Sequence, residues 1–319
     1  MQELKRAFKQ EQPRINASLE RFVAELPAAS QPVARHVLTA GGKRLRPFLT
    51  LLFGRMFGSR DETLYTLGAA IEILHAATLL HDDFLDNAEM RRGQPSAHLL
   101  FAPTTVILTG DVMLAKATLM ISRIGDTRLG DCIAEAAMHT ADGEIAEFNI
   151  LRNPDISVED YLAVITGKTA CLLRASCELG AIFSGADPGA TRAAADFGLQ
   201  LGIAFQMVDD ALDFSTGTGK PRGGDIREGK VTLPLLSYIA SLPPDAAVAF
   251  KEKFRRGPLS EDEVEALCSA VCAGGHDSRA REHAGSYLAV AASFLQHFPH
   301  SKERIVLEQI LENLLKRDH

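Results

Sequence analysis

The stretch LLHDDFLDNAEMRRG, residues 79–93, places four carboxylates and two arginines directly after an apolar run. The charged residues are Asp82, Asp83, Asp86, Glu89, Arg91 and Arg92. Like charges four residues apart on a helix destabilise it by about 0.2–0.5 kcal/mol per pair. A helix that ends in this way needs a compensating interaction, and the rest of the chain indicates which one.

The residues before this stretch have the spacing of a helix. Between 61 and 82, one stripe recurs every three or four residues: Leu64, Leu67, Ala70, Ile71, Leu74, Thr78 and Leu79. The same period of 3.6 fits residues 104–122, 127–150, 157–183 and 190–214. Few windows alternate as strands do, and no Asn-Gly or Asp-Gly dipeptide separates two strand-like runs. The pattern predicts an all-α fold in a single bundle.

Composition predicts a soluble globular protein. The chain has 319 residues, of which 46% are hydrophobic and 24% charged, and its net charge of −7 argues against general affinity for nucleic acid or anionic membranes. The first residues, MQELKRAFKQEQPR, lack the apolar core of a signal peptide. No apolar run approaches the ~20 residues of a membrane span. The closest is residues 105–124, which Asp111 and Lys116 interrupt.

The five cysteines are unclustered and odd in number, which predicts a reducing, cytoplasmic location. Cys268, Cys272 and His276 recur every four residues and could hold a metal. Small apolar residues on one helix face explain that spacing better. No low-complexity linker interrupts the chain, so we expect a single domain over residues 1–319.

The acidic motif occurs twice, as DDFLD at 82–86 and DDALD at 209–213. Asp82 and Asp86 share one helix face, whereas Asp83 is turned away by about 100°. Each copy ends an apolar helix, which predicts that both face the mouth of a buried space. Ligands that are all oxygen favour Mg²⁺, Mn²⁺ or Ca²⁺ over zinc. The candidate metal ligands are Asp82, Asp83, Asp86, Asp209, Asp210 and Asp213.

Basic segments accompany the acidic ones. GGKRLRP at 41–47 sets Lys43, Arg44 and Arg46 behind two glycines, which suits a polyanion such as diphosphate. GKTA at 167–170 and GKPRGGDIREGK at 219–230 add further cations, although neither has the spacing of a P-loop. His75 lies two helical turns before Asp82, on nearly the same face.

Together these motifs resemble the all-trans polyprenyl diphosphate synthases, the head-to-tail isoprenyl transferases, and most closely their long-chain, octaprenyl-type members. The matching segments run in family order: GGKRLRP, EILHAATLLHDDFLDNAEMRRG, TGDVMLAKA, DGEIAEF, YLAVITGKTACL, FQMVDDALDF and GKPRGGDIREGKVTLPLL. The resemblance implies roughly a dozen helices around a deep central cavity, usually in a homodimer. It also implies Mg²⁺ as cofactor, with Mn²⁺ as a substitute, and isopentenyl diphosphate and an allylic prenyl diphosphate as substrates.

The resemblance further implies residue roles. Asp82, Asp86 and Asp209 would be the principal metal ligands and, with Lys168, the candidate catalytic residues. The isopentenyl diphosphate site would comprise Lys43, Arg46, His75 and Arg92. The allylic diphosphate would be bound by Arg91, Lys168, Thr169, Gln206, Lys220 and Lys230. The chain departs from the family pattern in a shorter loop between Asp213 and Lys220 and in Glu147, where many members have Gln. We assign Glu147 no role.

The implied reaction needs no side-chain nucleophile. An allylic diphosphate ionises as Mg²⁺, Lys and Arg stabilise the departing diphosphate, and the double bond of isopentenyl diphosphate attacks the carbocation before a proton is lost. The aspartates would then tolerate one another because metal ions lie between them and the substrate.

Product length should depend on the depth of the cavity, for which Ala77, Thr78 and Leu74 are the candidate residues. Short-chain members carry a bulky aromatic near these positions, so Ala77 predicts an open tunnel and a long-chain polyprenyl diphosphate. We expect that product to be used for a quinone side chain. The alternatives are a short-chain farnesyl or geranylgeranyl diphosphate synthase and a non-catalytic subunit of a heteromeric synthase. A terpene cyclase would not need GGKRLRP or the second acidic motif, and no Glu-x-x-His pairs suit a di-iron bundle.

Overall fold

The computed structural model describes residues 2–215 and 222–316, and helices make up most of this part of the chain. This confirms the predicted all-α class. The α-helices are α1 (Gln2–Ala24), α2 (Gln31–Thr39), α3 (Leu45–Met56), α4 (Thr63–Leu85), α5 (Ala97–Leu100), α6 (Pro103–Ser122), α7 (Thr127–Ile150), α8 (Val158–Ile165), α9 (Cys171–Phe183), α10 (Pro188–Asp213), α11 (Gly224–Glu228), α12 (Leu233–Ser241), α13 (Pro244–Arg256), α14 (Glu261–Ala273), α15 (His276–Phe294) and α16 (Lys302–Leu315). A π-helix at Thr166–Ala170, a 3₁₀ turn at Leu295–His297 and two short strands, β1 (Met90–Arg91) and β2 (Gln94–Pro95), complete the described elements.

Contacts divide the chain into two compact units. The first contains the described residues up to Thr140 together with Leu172–Gly198 and Phe294–Gln309. The second contains Ala141–Cys171, the described residues within Leu199–Ser293, and those from Ile310 onward. The single domain and the deep central cavity both stay predictions.

Helix α4 is the core of the first unit. It packs mainly against α3 and α6, and also touches α1, α2 and α5. Its side chains are apolar on nearly every face, as expected for a helix surrounded by other helices. Leu67, Ile71 and Ile73 are completely buried. A buried α4 carries the first acidic motif on its last turn, where the apolar environment ends.

Helices α4 and α6 are long and apolar enough to cross a membrane by length and composition. From the sequence, only residues 105–124 stood out as an approach to a membrane span, whereas α4 passes the same test of length and composition. In the structure 72% of its apolar window is buried, so its apolar character is that of a core helix. For α6 the buried share is 33%.

A small hairpin follows α4 and brings the two arginines back toward it. Met90 pairs with Pro95 and Arg91 with Gln94 in antiparallel register. The two turn residues, Arg92 and Gly93, both have positive φ, at 52° and 77°. Positive φ at both central residues is the geometry of a type I′ hairpin turn, whose twist matches that of the strands.

In the second unit the chain passes from α8 into the π-helix. Ser157 caps α8 by accepting a hydrogen bond from the backbone of Asp160. A Cβ on Gly143 of α7 would overlap the backbone nitrogen of Lys168, and a Cβ on Gly202 of α10 would lie 2.5 Å from Cα of Ala170. Glycine at both positions therefore lets two helices approach the π-helix at backbone distance.

Candidate active site

The three aspartates of the first acidic motif have different environments. Asp82 and Asp83 are buried, whereas Asp86 is half-buried and caps the C-terminus of α4. Arg91 donates two hydrogen bonds to one carboxylate oxygen of Asp83, and the bond from its Nε is 2.7 Å long. The hairpin thus neutralises the aspartate that points away from the shared face of Asp82 and Asp86.

The basic segment at 41–47 contains one structural arginine. Arg44 begins α3 with a left-handed backbone, φ 45°. Its Nη1 donates a 2.8 Å hydrogen bond to Oε1 of Glu72, and the two side chains are only 6% and 4% exposed. Arg44 therefore fixes the segment to α4, which leaves Lys43 and Arg46 as its candidate ligand-binding residues.

Arg92 connects the hairpin to the basic segment, because its Nη1 donates to the carbonyl oxygen of Gly41. A Cβ on Gly42 would lie 2.8 Å from that same Nη1, so a side chain there would push the Arg92 guanidinium aside. His75 faces this region of positive charge. Burial lowers the pKa of His75 well below its ordinary value, and the charges of Arg46 and Arg92 lower it further.

Three residues of the predicted isopentenyl diphosphate site, Arg46, His75 and Arg92, thus lie near one another within the first unit. A neutral imidazole surrounded by guanidinium groups is an environment that a bound anion would stabilise. Which of these side chains contact isopentenyl diphosphate stays a prediction.

The three aspartates of the second acidic motif also differ in their contacts. Asp209 is exposed, while Asp210 is buried and accepts 2.7 Å hydrogen bonds from Tyr161 Oη and Gln206 Nε2. Asp213 uses its two oxygens to accept the backbone N–H groups of Gly224 and Asp225, at 3.0 and 3.1 Å. Asp213 therefore holds the start of α11.

Burial raises the pKa of two of these carboxyls. For Asp210 the value is about 7, because burial and the charges of Asp209 and Glu147 outweigh the hydrogen bonds from Tyr161 and Gln206. Burial also raises the pKa of Asp213, which its two backbone donors partly oppose.

A cavity of about 110 Å³ lies in the second unit. Its lining includes four residues that the resemblance assigns to the allylic diphosphate: Lys168, Thr169, Gln206 and Lys230. Thr169 Oγ1 donates a 2.9 Å hydrogen bond to Gln206 Oε1, and Gln206 in turn donates to Asp210. Lys168 and Thr169 lie on the π-helix, a conformation that often occurs at functional sites.

Carboxylates that the sequence did not identify surround the two lysines. Lys168 Nζ lies 2.8 Å from Glu144 and 2.5 Å from Glu147. Lys230 Nζ lies 2.6 Å from Glu228 and 3.7 Å from the same Glu147. Tyr161 was also missed, although it opens the quoted segment YLAVITGKTACL. A tyrosine 49 residues from its aspartate leaves no local spacing signal.

The remaining candidates can be placed as follows. Ala77 and Leu74 are buried, and Thr78 is half-buried with its hydroxyl donating to the carbonyl oxygen of His75. Their role in product length stays a prediction. Lys220 lies outside the described residues. The two acidic motifs belong to different units, so their facing one another also stays a prediction.

The donors of both acidic motifs are carboxylate oxygens, which fit a hard divalent cation. Over residues 2–215 and 222–316, no three or more His, Cys, Asp or Glu side chains are arranged to hold a metal. The magnesium site stays a prediction. Cys268 and Cys272 lie together on α14, but His276 begins α15, so the three do not share a helix face as the spacing predicted. His276 Nδ1 forms a 2.8 Å hydrogen bond with Ser237 Oγ.

Comparison with known proteins agrees with these observations. The family model described as polyprenyl synthetase matches residues 28–271. The chain is 33% identical over 311 residues to octaprenyl diphosphate synthase of Escherichia coli (strain K12), which covers 95% of each protein. It is 34% identical to heptaprenyl diphosphate synthase component 2 of Geobacillus stearothermophilus, covering 96% of this chain and 95% of that one. It is 32% identical to geranylgeranyl pyrophosphate synthase of Geoglobus acetivorans, covering 96% of both.

Among solved structures, polyprenyl synthase from Caulobacter crescentus CB15, complexed with calcium and isoprenyl diphosphate, matches with a TM-score of 0.94. Its sequence identity is 33%, and the match covers 100% of this chain and 98% of that one. These matches confirm the resemblance that the motifs indicate. The chain belongs to the polyprenyl synthetase family.

Proposed function

We propose that this protein condenses isopentenyl diphosphate head-to-tail with an allylic diphosphate primer, as a Mg²⁺-dependent trans-prenyltransferase. One observation carries the proposal. Lys168, Thr169, Gln206 and Lys230 come from three separate segments of the sequence and line one cavity. Two ammonium groups, a hydroxyl and an amide in a cavity form a suitable environment for a diphosphate.

The chain's own residues would act on the departing diphosphate. Negative charge accumulates on it as the allylic C–O bond breaks, and Lys168 and Lys230 would stabilise that charge, joined by the Thr169 hydroxyl once its proton turns from Gln206 to a phosphate oxygen. Because the site is partly buried, the lysines are weakly screened and this stabilisation is stronger than it would be in water. Gln206 orients the Thr169 hydroxyl through their hydrogen bond.

Members of this family use divalent metal ions. Asp82, Asp86 and Asp209 would hold Mg²⁺ here, and Mn²⁺ could substitute. Asp83, Asp210 and Asp213, the other candidate ligands, accept the hydrogen bonds described above. A bound cation would supply Lewis-acid stabilisation of the leaving diphosphate.

The second substrate would bind in the first unit. Lys43, Arg46 and Arg92 would pair with isopentenyl diphosphate, and neutral His75 would hydrogen-bond to it. Arg91, which already pairs with Asp83, would contribute charge to the allylic side.

We propose a long-chain product. Ala77 is buried and small, and two long-chain synthases are among the relatives given above. A short-chain synthase is the second candidate, supported by the similarity to geranylgeranyl pyrophosphate synthase of Geoglobus acetivorans.

We also propose a cytoplasmic homodimer. Leu99 and Leu100 of α5 and Leu108 and Leu119 of α6 are between 43% and 56% exposed. Large apolar side chains exposed on adjacent helices are typical of subunit interfaces. A heteromeric assembly is the alternative, since one relative is named as a component of its synthase.

The test is incubation of the purified protein with Mg²⁺, labelled isopentenyl diphosphate and each of dimethylallyl, geranyl, farnesyl and geranylgeranyl diphosphate, followed by sizing of the products. We expect elongation that stops on addition of a chelator and is lost in Asp82→Asn and Asp86→Asn. Absence of product with every primer would reject the proposal for the isolated chain.

A further inference from the structure

Glu147 lies between Lys168 and Lys230, the two lysines that line the cavity of the second unit. Its carboxylate lies 2.5 Å from Lys168 Nζ and 3.7 Å from Lys230 Nζ. The three side chains are between 16% and 19% exposed, so water only partly screens the interaction. One carboxylate therefore forms ion pairs with two lysines from separate segments of the sequence, in addition to the pairs that Lys168 forms with Glu144 and Lys230 with Glu228.

The carboxylate of Glu147 makes the cavity less favourable for a bare polyanion than its two lysines alone would. Among the described residues, the carboxyl groups of Glu147, Asp210 and Asp225 line the cavity together with the ammonium groups of Lys168 and Lys230. A diphosphate that binds the lysines has to displace the carboxylate of Glu147 and then lies beside it. The negative charges of the diphosphate and of Glu147 would then be close together and would repel each other in a partly buried site.

We propose that Glu147 is the resident anion of this cavity and makes diphosphate binding conditional on a divalent cation. In the empty protein it holds both lysines near the position that the phosphate oxygens later take. When diphosphate arrives without metal, its charge competes directly with that of Glu147. The magnesium complex of diphosphate carries less negative charge, so Glu147 repels it less strongly. This inference rests on the proposed function, since it concerns the same substrate site.

Glu144 provides a matched control on the same helix. Its carboxylate lies 2.8 Å from Lys168, and its exposure of 19% is close to that of Glu147. Glu144 is not among the described residues that line the cavity. Glu→Gln at either position removes one charge next to Lys168, but only Glu147→Gln removes it from the cavity.

The test is calorimetric titration of the full chain with inorganic diphosphate, once with a chelator and once with Mg²⁺. We expect Glu147→Gln to bind metal-free diphosphate on the order of tenfold more tightly than wild type, and the magnesium complex with a much smaller gain. Glu144→Gln should change metal-free affinity by less than about threefold. The preference for the magnesium complex is the decisive readout, because a change in packing would affect both titrations.

Two further variants separate charge from packing. Glu147→Asp keeps the charge and should retain the wild-type preference for the magnesium complex. In Glu147→Gln combined with Lys168→Gln, the gain in metal-free affinity should disappear. If the wild-type protein forms prenyl products but Glu147→Gln and Glu144→Gln show the same preference, the inference is overturned while the proposed function stands. Failure of the wild-type protein to form any prenyl product would count against the proposed function, whatever the titrations show.

Discussion

Arg91 donates two hydrogen bonds to a single carboxylate oxygen of Asp83, eight residues earlier in the chain. Asp83 is 5% exposed at its side chain and Arg91 is 35% exposed. The type I′ turn at Arg92 and Gly93 makes the contact, because it folds the chain back onto the last turn of α4. Part of the repulsion among the clustered aspartates is thus relieved by the arginines that follow them.

Removing one partner of this ion pair should therefore be more harmful than removing both. Arg91→Ala leaves a buried carboxylate without its partner, and we expect a loss of about 1–3 kcal/mol in the free energy of unfolding. The double variant Asp83→Asn/Arg91→Ala should recover much of that loss. Urea unfolding of both single variants and the double variant gives the coupling energy, and strictly additive effects would contradict the interpretation.

Tyr161→Phe tests the buried hydrogen-bond chain from Tyr161 through Asp210 and Gln206 to Thr169. Loss of one donor should lower the free energy of unfolding by about 1 kcal/mol and raise KM for the allylic substrate more than it lowers kcat. Tyr238→Phe is the control, since that ring packs edge-to-face against Phe250 and phenylalanine preserves the contact. Equal effects of both substitutions on KM would argue against a positioning role for Tyr161.

The sequence predicted the helices and the chemical character of the site because both depend on local patterns. Apolar spacing located α4, and the spacing of the acidic residues placed Asp82 and Asp86 on one face. Arg44 illustrates what sequence could not separate: it lies beside Lys43 and Arg46 but is buried against Glu72. That distinction depends on a left-handed backbone at one residue, which the segment GGKRLRP does not reveal.

The contacts of Glu147 and the π-helix escaped prediction for a similar reason. Both depend on contacts between segments distant in sequence, and a change from Gln to Glu has no local consequence on a helix. The hairpin after α4 was missed because its turn, Arg-Gly, differs from the Asn-Gly and Asp-Gly pairs that signal such turns.

His75 should make the free protein sensitive to acid. Its pKa is lowered in the folded state, so the unfolded chain binds the proton more tightly. Stability is then complete above the ordinary pKa of about 6.5 and falls as the pH decreases from there toward the folded value. One such group contributes a slope of at most about 1.4 kcal/mol per pH unit. Unfolding measured between pH 7.5 and 5.5 should show a shallower slope in His75→Gln, and an unchanged slope would exclude His75 as the source.

Gly143→Ala should displace the π-helix. Its Cβ would overlap the backbone nitrogen of Lys168, so the segment that carries Lys168 and Thr169 has to move. We expect at least a tenfold loss of kcat/KM for the allylic substrate, since small misplacements of binding groups are costly.

Gly130→Ala on the same helix is the control, because no atom lies within 4 Å of its added Cβ. That variant should keep full activity and gain about 0.5–1 kcal/mol of stability. Similar activity in the two variants would show that the close approach at Gly143 is dispensable.

Ala77→Phe tests the determinant of product length. Ala77 is completely buried one helical turn before the first acidic motif, and a phenyl ring there would shorten the space available to a growing chain. We expect the longest product to lose several isoprene units while initial turnover with a short primer is retained.

Overpacking should destabilise the protein by about 1–3 kcal/mol, so the neighbouring Ala76→Phe serves as control. Ala76 is also buried but points about 100° away around the helix, and its variant should suffer the packing cost without shortening the product. A folded Ala77→Phe enzyme with the wild-type product distribution would remove Ala77 from this role.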